Sequence, residues 1–143
     1  MRIKIKRLDK ALPLPEYKTT GAVAFDLAAR ETITIGPKEL ALIPTGLVVQ
    51  TPPGHMLSIF ARSSIAKKKG LMLANSVGVI DQDYCGPEDE IKISVYNFTD
   101  APTTVEQWER IAQGVFVKIE KAEWEETEEI ITPTRGGFGS TGK

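Results

Sequence analysis

The eight residues before the terminal Lys143 read Arg135-Gly136-Gly137-Phe138-Gly139-Ser140-Thr141-Gly142. Four glycines leave backbone N–H groups able to turn toward an anion. Arg135, Ser140 and Thr141 can bind phosphate oxygens, and Phe138 offers a flat face to a base. A tail of this composition cannot bury enough apolar surface to make a core. It is either a loose end or a flap that folds over a nucleotide.

Four interior regions add to this inventory. In Asn75-Ser76-Val77-Gly78-Val79-Ile80-Asp81-Gln82-Asp83-Tyr84-Cys85-Gly86, two β runs flank a short polar turn and read as a hairpin. Backbone N–H and C=O groups there can match uracil, whose N3–H donates while O2 and O4 accept. Cytosine inverts two of those positions and leaves groups unpaired, at about 1–3 kcal/mol each. A plain hairpin with Asp and Tyr at its rim is the alternative. Ala61-Arg62-Ser63-Ser64-Ile65-Ala66 brings an arginine and two hydroxyls to a helix start, as a phosphate contact or as an ordinary Ser cap. In Ala24-Phe25-Asp26-Leu27-Ala28 a lone carboxylate interrupts an apolar strand, where it could hold Mg²⁺ through water. Arg110-Ile111-Ala112-Gln113 likewise sets a polar Gln before the apolar run Gly114–Val117.

The elements that must position these groups are short. Eleven β-rich runs are punctuated by turn signals such as Gly36-Pro37, Pro44-Thr45-Gly46 and Pro52-Pro53-Gly54. They are Arg2–Lys6, Ala22–Ala28, Thr32–Ile35, Ala41–Ile43, Leu47–Gln50, Met56–Phe60, Leu71–Ala74, Gly78–Ile80, Glu90–Asn97, Thr103–Gln107 and Arg110–Ile119. This spacing predicts an all-β, jelly-roll-like sandwich or barrel. One helix is expected over Ser64–Lys69, with Ser64 as N-cap and Gly70 as its stop. The expected organisation is a β domain over 1–119, an acidic connector over 120–134 and the Gly-rich tail 135–143. Within the connector, Glu120–Glu129 holds six glutamates and one lysine, with Trp124 expected to pack against something, such as a neighbouring subunit.

Composition narrows the function. With 18 basic and 19 acidic residues among 143, the net charge of −1 gives no global footprint for nucleic acid or membrane. Any polyphosphate site must therefore be local. One cysteine (Cys85) and one histidine (His55) do not supply a disulfide or a zinc site of the usual ligands. The start alternates Arg/Lys with isoleucine and carries no signal-peptide core, so a cytoplasmic protein is expected.

Taken in order, these five segments resemble the five motifs of the trimeric deoxyuridine triphosphatases (dUTPases), from Ala22 to Gly142. The resemblance implies a β jelly roll, a Mg²⁺ cofactor, dUTP as substrate and a homotrimer whose active sites are each built from three subunits. It implies that Asp26 arranges Mg²⁺ and its water, and that Arg62, Ser63 and Ser64 meet phosphate oxygens. Asn75 and the segment Gly78, Val79 and Ile80 would read uracil, Asp81 would activate the attacking water, and Tyr84 would stack under the deoxyribose and exclude a 2′-hydroxyl. Gln113 would donate on the α-phosphate side. Phe138 would cover the base, with Gly137 and Gly139 beside it, while Arg135, Ser140 and Thr141 clamp the outer phosphates. The sequence departs from the family pattern at Ala61 and Ser64, where Pro and Gly are usual. It also carries the extra Pro87-Glu88-Asp89, and Arg135 stands unusually close to Phe138. The related dCTP deaminases share the fold and an Arg-Ser-Ser helix start. The tyrosine-bearing segment and the Phe-containing tail favour triphosphate hydrolysis, with a non-catalytic nucleotide-binding module as the remaining alternative.

Overall fold

Each of the eleven runs becomes a strand in a computed structural model of the chain, which describes residues 1–137. In chain order the strands are β1 (Lys4–Arg7), β2 (Phe25–Ala28), β3 (Ile33–Ile35), β4 (Leu40–Pro44), β5 (Leu47–Gln50) and β6 (His55–Ala61). After one helical turn, α1 (Ile65–Lys69), follow β7 (Leu71–Leu73), β8 (Gly78–Ile80), β9 (Lys92–Asn97), β10 (Thr103–Val105) and β11 (Arg110–Lys118). They pair antiparallel in a four-stranded sheet β2-β11-β6-β8, a three-stranded sheet β4-β9-β7 and the pairs β1-β5 and β3-β10. The all-β expectation is met.

Alternation decides which faces meet. In β9 Ile93, Val95 and Asn97 point inward, and in β6 Leu57 and Ile59 do. They join Leu27, Ile43, Leu71 and Ile111 in one core, each such side chain contributing about 1.5–3 kcal/mol on burial. Asn97 is the polar member. Its Nδ2 donates to the carbonyls of Gly36 and Ala101 at 2.9 and 2.8 Å, and its Oδ1 accepts the Thr99 N–H and hydroxyl. The amide thus satisfies the backbone where β9 leaves the sheet.

Gly114 in β11 lies where a Cβ would stand 2.6 Å from the Phe25 ring and 3.2 Å from Leu57 Cδ1. Leu57 is wholly buried, so the added methyl must be taken up by the Phe25 ring, which borders a groove. Gly114→Ala is expected to cost about 1–3 kcal/mol by overpacking, read as a lowered midpoint in thermal unfolding.

Two expectations are corrected. Ser64 occupies the N-cap position of α1, but its side chain makes no capping bond and its backbone is already helical (φ −92°, ψ −12°). Its carbonyl instead accepts the Lys68 N–H at 2.9 Å. Gly70 does stop the helix, in the left-handed region at φ 63°. The second correction concerns the hairpin around Asn75. β7 pairs with β9 and β8 pairs with β6, so the flanking runs belong to different sheets. The link between them turns at Ser76, with φ 62°, and carries the chain from one sheet to the other rather than back along its own strand.

Candidate active site

Asp26 lies on the outer face of the four-stranded sheet, opposite Gln113 of β11, which in turn stands opposite Phe60 of β6. Its carboxylate is largely covered, with 16% of the side chain exposed, and both oxygens are engaged. Oδ1 lies 2.9 Å from Arg62 Nε and Oδ2 lies 2.8 Å from Arg110 Nη1. Arg62 Nη1 also donates to the Arg110 carbonyl at 3.0 Å, and Gln113 Nε2 donates to the Ala61 carbonyl at 3.0 Å. One carboxylate against two guanidiniums leaves a net positive charge, held by fixed hydrogen bonds. That is a place for an anion.

Arg110 was not among the predicted ligands. It reaches Asp26 because of a β-bulge between Arg110 and Ala112. Residues three apart on a regular strand face opposite ways, but one extra residue restores both Arg110 and Gln113 to the Asp26 face. Ile111 and Ala112, within the bulge, turn into the core. Cross-strand register of this kind has no signature in one sequence. Ser63 and Ser64 follow Arg62 at the start of α1, the first exposed and the second half-buried.

A second group gathers around β8. A cleft of ≈ 330 Å³ is lined by Leu42, Val79, Ile80, Asp81, Tyr84 and Lys92. It adjoins one of ≈ 240 Å³ that includes Asn75, Gly78, Val79 and Ile80. Asp81 is exposed immediately after β8, whose ladder to β6 fixes the backbone leading to it. Gln82 Nε2 donates to the His55 carbonyl at 3.0 Å, and the Tyr84 hydroxyl donates to the Glu90 carbonyl at 3.0 Å. Lys92 and Leu42 are additions from neighbouring strands that the linear motif does not reveal. A larger groove of ≈ 410 Å³, lined by Ile3, Leu14, Phe25 and Phe116 among others, holds none of the predicted residues.

The two groups do not meet within one chain. Ile80 stands opposite Leu57 of β6, so Asp81 lies near the start of that strand, while Arg62 follows its end. The intervening β6 residues span roughly 15–20 Å at about 3.3 Å each. Beyond β11 the chain runs as an exposed arm without regular structure, where Trp124, Ile130 and Ile131 are 94%, 80% and 96% exposed. Trp124 therefore packs against nothing among the described residues. Arg135 and Gly137 lie at the end of the arm. Phe138, Gly139, Ser140 and Thr141 lie outside the described residues.

Among the described residues, no group of three or more His, Cys, Asp or Glu side chains is arranged to hold a metal ion. Asp26 alone still fits a divalent ion approached through water. A carboxylate offers about four acceptor sites, and the arginines occupy two. A phosphate-bound Mg²⁺ needs only one or two protein carboxylates.

Known proteins resemble this chain in sequence and in fold. The dUTPase family profile matches residues 10–142. The deoxyuridine 5′-triphosphate nucleotidohydrolase of Lactococcus lactis is 41% identical over 140 residues, covering 96% of this chain and 93% of the relative. That of Desulfitobacterium hafniense is 44% identical over 147 residues, covering 99% and 95%. Among solved structures, the dUTPase of Streptococcus mutans superposes with a TM-score of 0.78 at 36% identity, over 85% of this chain and 98% of that one. The dUTPase of Staphylococcus bacteriophage 80alpha with dUPNHPP superposes with a TM-score of 0.88 at 26% identity, over 99% of both chains. With a family match across nearly its whole length, relatives above 40% identity and a shared all-β architecture, the chain belongs to the dUTPase family.

Proposed function

We propose that the protein hydrolyses dUTP to dUMP and pyrophosphate, with Mg²⁺, in a homotrimer whose active sites are shared between subunits. The observation that carries this reading is the separation of two complementary groups along β6: a cationic cluster at one end and an exposed carboxylate beside a base-sized cleft at the other. Neither group is a hydrolase alone. Brought together from different copies, they supply what cleavage between the α- and β-phosphorus needs.

In this reading the backbone from Asn75 through Gly78, Val79 and Ile80 reads the uracil edge, and Tyr84 stacks beneath the deoxyribose. Asp81 accepts a proton from a water as the water oxygen bonds to the α-phosphorus. The bond from that phosphorus to the bridging oxygen breaks, and its electron pair leaves with pyrophosphate. Arg62, Ser63, Ser64 and Gln113 hold phosphate oxygens, and Asp26 keeps Arg62 and Arg110 aimed at them. A divalent ion bound with the triphosphate, reached by Asp26 through water, would neutralise charge on the phosphates. Arg135, Gly137, Phe138, Gly139, Ser140 and Thr141 close over base and phosphates, excluding bulk water. The metabolic role is to keep uracil out of DNA and to supply dUMP for thymidylate synthesis, in the cytoplasm.

Product analysis with Mg²⁺ and separate dUTP, dCTP, dTTP and UTP tests this. Turnover of dUTP alone, to dUMP and pyrophosphate, is the expected result. Ammonia from dCTP would place the chain with the deaminases instead, and no turnover of any nucleotide would leave a binding module.

A further inference from the structure

Glu90 is a charged residue with only 7% of its surface exposed, and it lies directly behind Tyr84. Its Oε1 accepts the Gly46 N–H at 2.6 Å and stands 3.5 Å from Arg30 Nε. That Arg30 nitrogen is buried without a hydrogen-bond partner among the described residues, so the Glu90 charge is what compensates it. The next residue is fixed to the same turn, since Ile91 N–H donates to the Leu47 carbonyl and the Thr45 hydroxyl donates to the Ile91 carbonyl at 2.7 Å. Gly46 is itself confined at φ 70°, with Leu12 and Arg30 packed where a Cβ would be. A buried carboxylate persists only where its partners hold it, and here they hold both ends of the residue.

The Glu90 backbone carbonyl is the acceptor of the Tyr84 hydroxyl, at 3.0 Å. The ring is 40% exposed and borders the cleft beside Asp81, so its phenol end needs a fixed point. The extra residues Pro87-Glu88-Asp89 fall between the two, and Asp89 closes that loop locally by accepting the Gly86 N–H at 2.6 Å. A longer loop would leave the ring free to shift. The Glu90 anchor prevents this by tying the ring to the rigid turn between β4 and β5.

We propose that Glu90 is a positioning residue for Tyr84, and that it sets selectivity for deoxyribose over ribose by fixing the ring that meets the 2′ position. The inference rests on the proposed dUTP hydrolysis. Its test compares Glu90→Ala, Glu90→Gln, Tyr84→Phe and the Glu90→Ala/Tyr84→Phe pair on dUTP and UTP. Rejection of an added hydroxyl by shape reaches about 10²-fold. Glu90→Ala and Tyr84→Phe are each expected to lower the dUTP-to-UTP ratio of kcat/KM by about tenfold, and Glu90→Ala to do so mainly through KM for UTP with kcat on dUTP within about threefold. The pair is expected to lose no more selectivity than either single variant. Glu90→Gln, which keeps an acceptor for Gly46, is expected to retain selectivity. Wild-type selectivity in a folded Glu90→Ala protein, or losses that multiply in the pair, would overturn the proposal. If Glu90→Ala does not fold, Glu90→Asp replaces it: the shorter side chain must draw residue 90 toward Gly46, and unchanged selectivity there overturns the proposal equally. A wild-type protein that does not turn over dUTP overturns both readings, whereas an active wild type with unresponsive Glu90 variants overturns this one alone.

Discussion

Asp81→Asn is expected to lower kcat on dUTP by about 10²–10⁴-fold, the range that a positioned general base contributes. Asparagine keeps the size and one acceptor of the side chain but cannot take the proton of the attacking water. Asp81 is exposed, and its backbone path is set by the β8–β6 ladder rather than by its carboxylate. Stability is therefore expected to change by no more than about 0.5 kcal/mol, as for other surface substitutions. The backbone proposed to read the base is untouched, so KM should stay within about threefold. Single-turnover pyrophosphate release beside a thermal unfolding curve separates these terms. A variant retaining more than a tenth of the wild-type kcat would remove Asp81 from its role.

Arg62→Ala should act differently. It removes one of the two cations on Asp26, leaves that carboxylate balanced by Arg110 alone, and takes a donor from the phosphate site. The expected fall in kcat/KM is about 10²–10³-fold, comparable to losing one preorganised donor. The two variants together ask a sharper question. If each site combines the Asp81 group of one copy with the Arg62 group of another, Asp81→Asn and Arg62→Ala chains unfolded and refolded as an equal mixture should regain activity. Random assortment makes about a quarter of such sites intact. A site contained in one chain gives only the sum of the two weak parents. Activity of the mixture, set against each variant refolded alone, decides between these outcomes.

The sequence was legible where a residue's meaning is local. Turn signals and alternation delimit every strand, because Gly and Pro stop ladders and period two marks a half-buried strand. Gly70 could be read as a helix stop, since its left-handed backbone strongly favours glycine. Ser64 could not be read as a non-cap, because its carbonyl, which every residue has, does the bonding there. The hairpin reading failed for a related reason. Two adjacent strands with a polar turn look alike in sequence whether they pair with each other or with strands far along the chain, as β7 and β8 do. Asp26 was legible as an unusual acid, yet its two arginine partners depend on the β11 bulge and on where β6 ends. Glu90 was hidden among nineteen acidic residues of the chain, since burial alone distinguishes it.

The crossing of residues 74–77 from one sheet to the other bears on how the protein acquires activity over time. The backbone of residues 74–80 adopts its shape only when β7 has found β9 and β8 has found β6. Both join strands closer along the chain than any other ladder of the fold, such as Arg7 with Leu47 or Arg110 with Ala28, and the nearer pairing closes the smaller loop at the lower entropic cost. A refolding chain is therefore expected to shape this crossing early, while the ladders of β1, β2, β3 and β11 to distant strands close later. The strands beside the cleft are among the first the polypeptide can pair, and the sheet that backs them is completed afterwards.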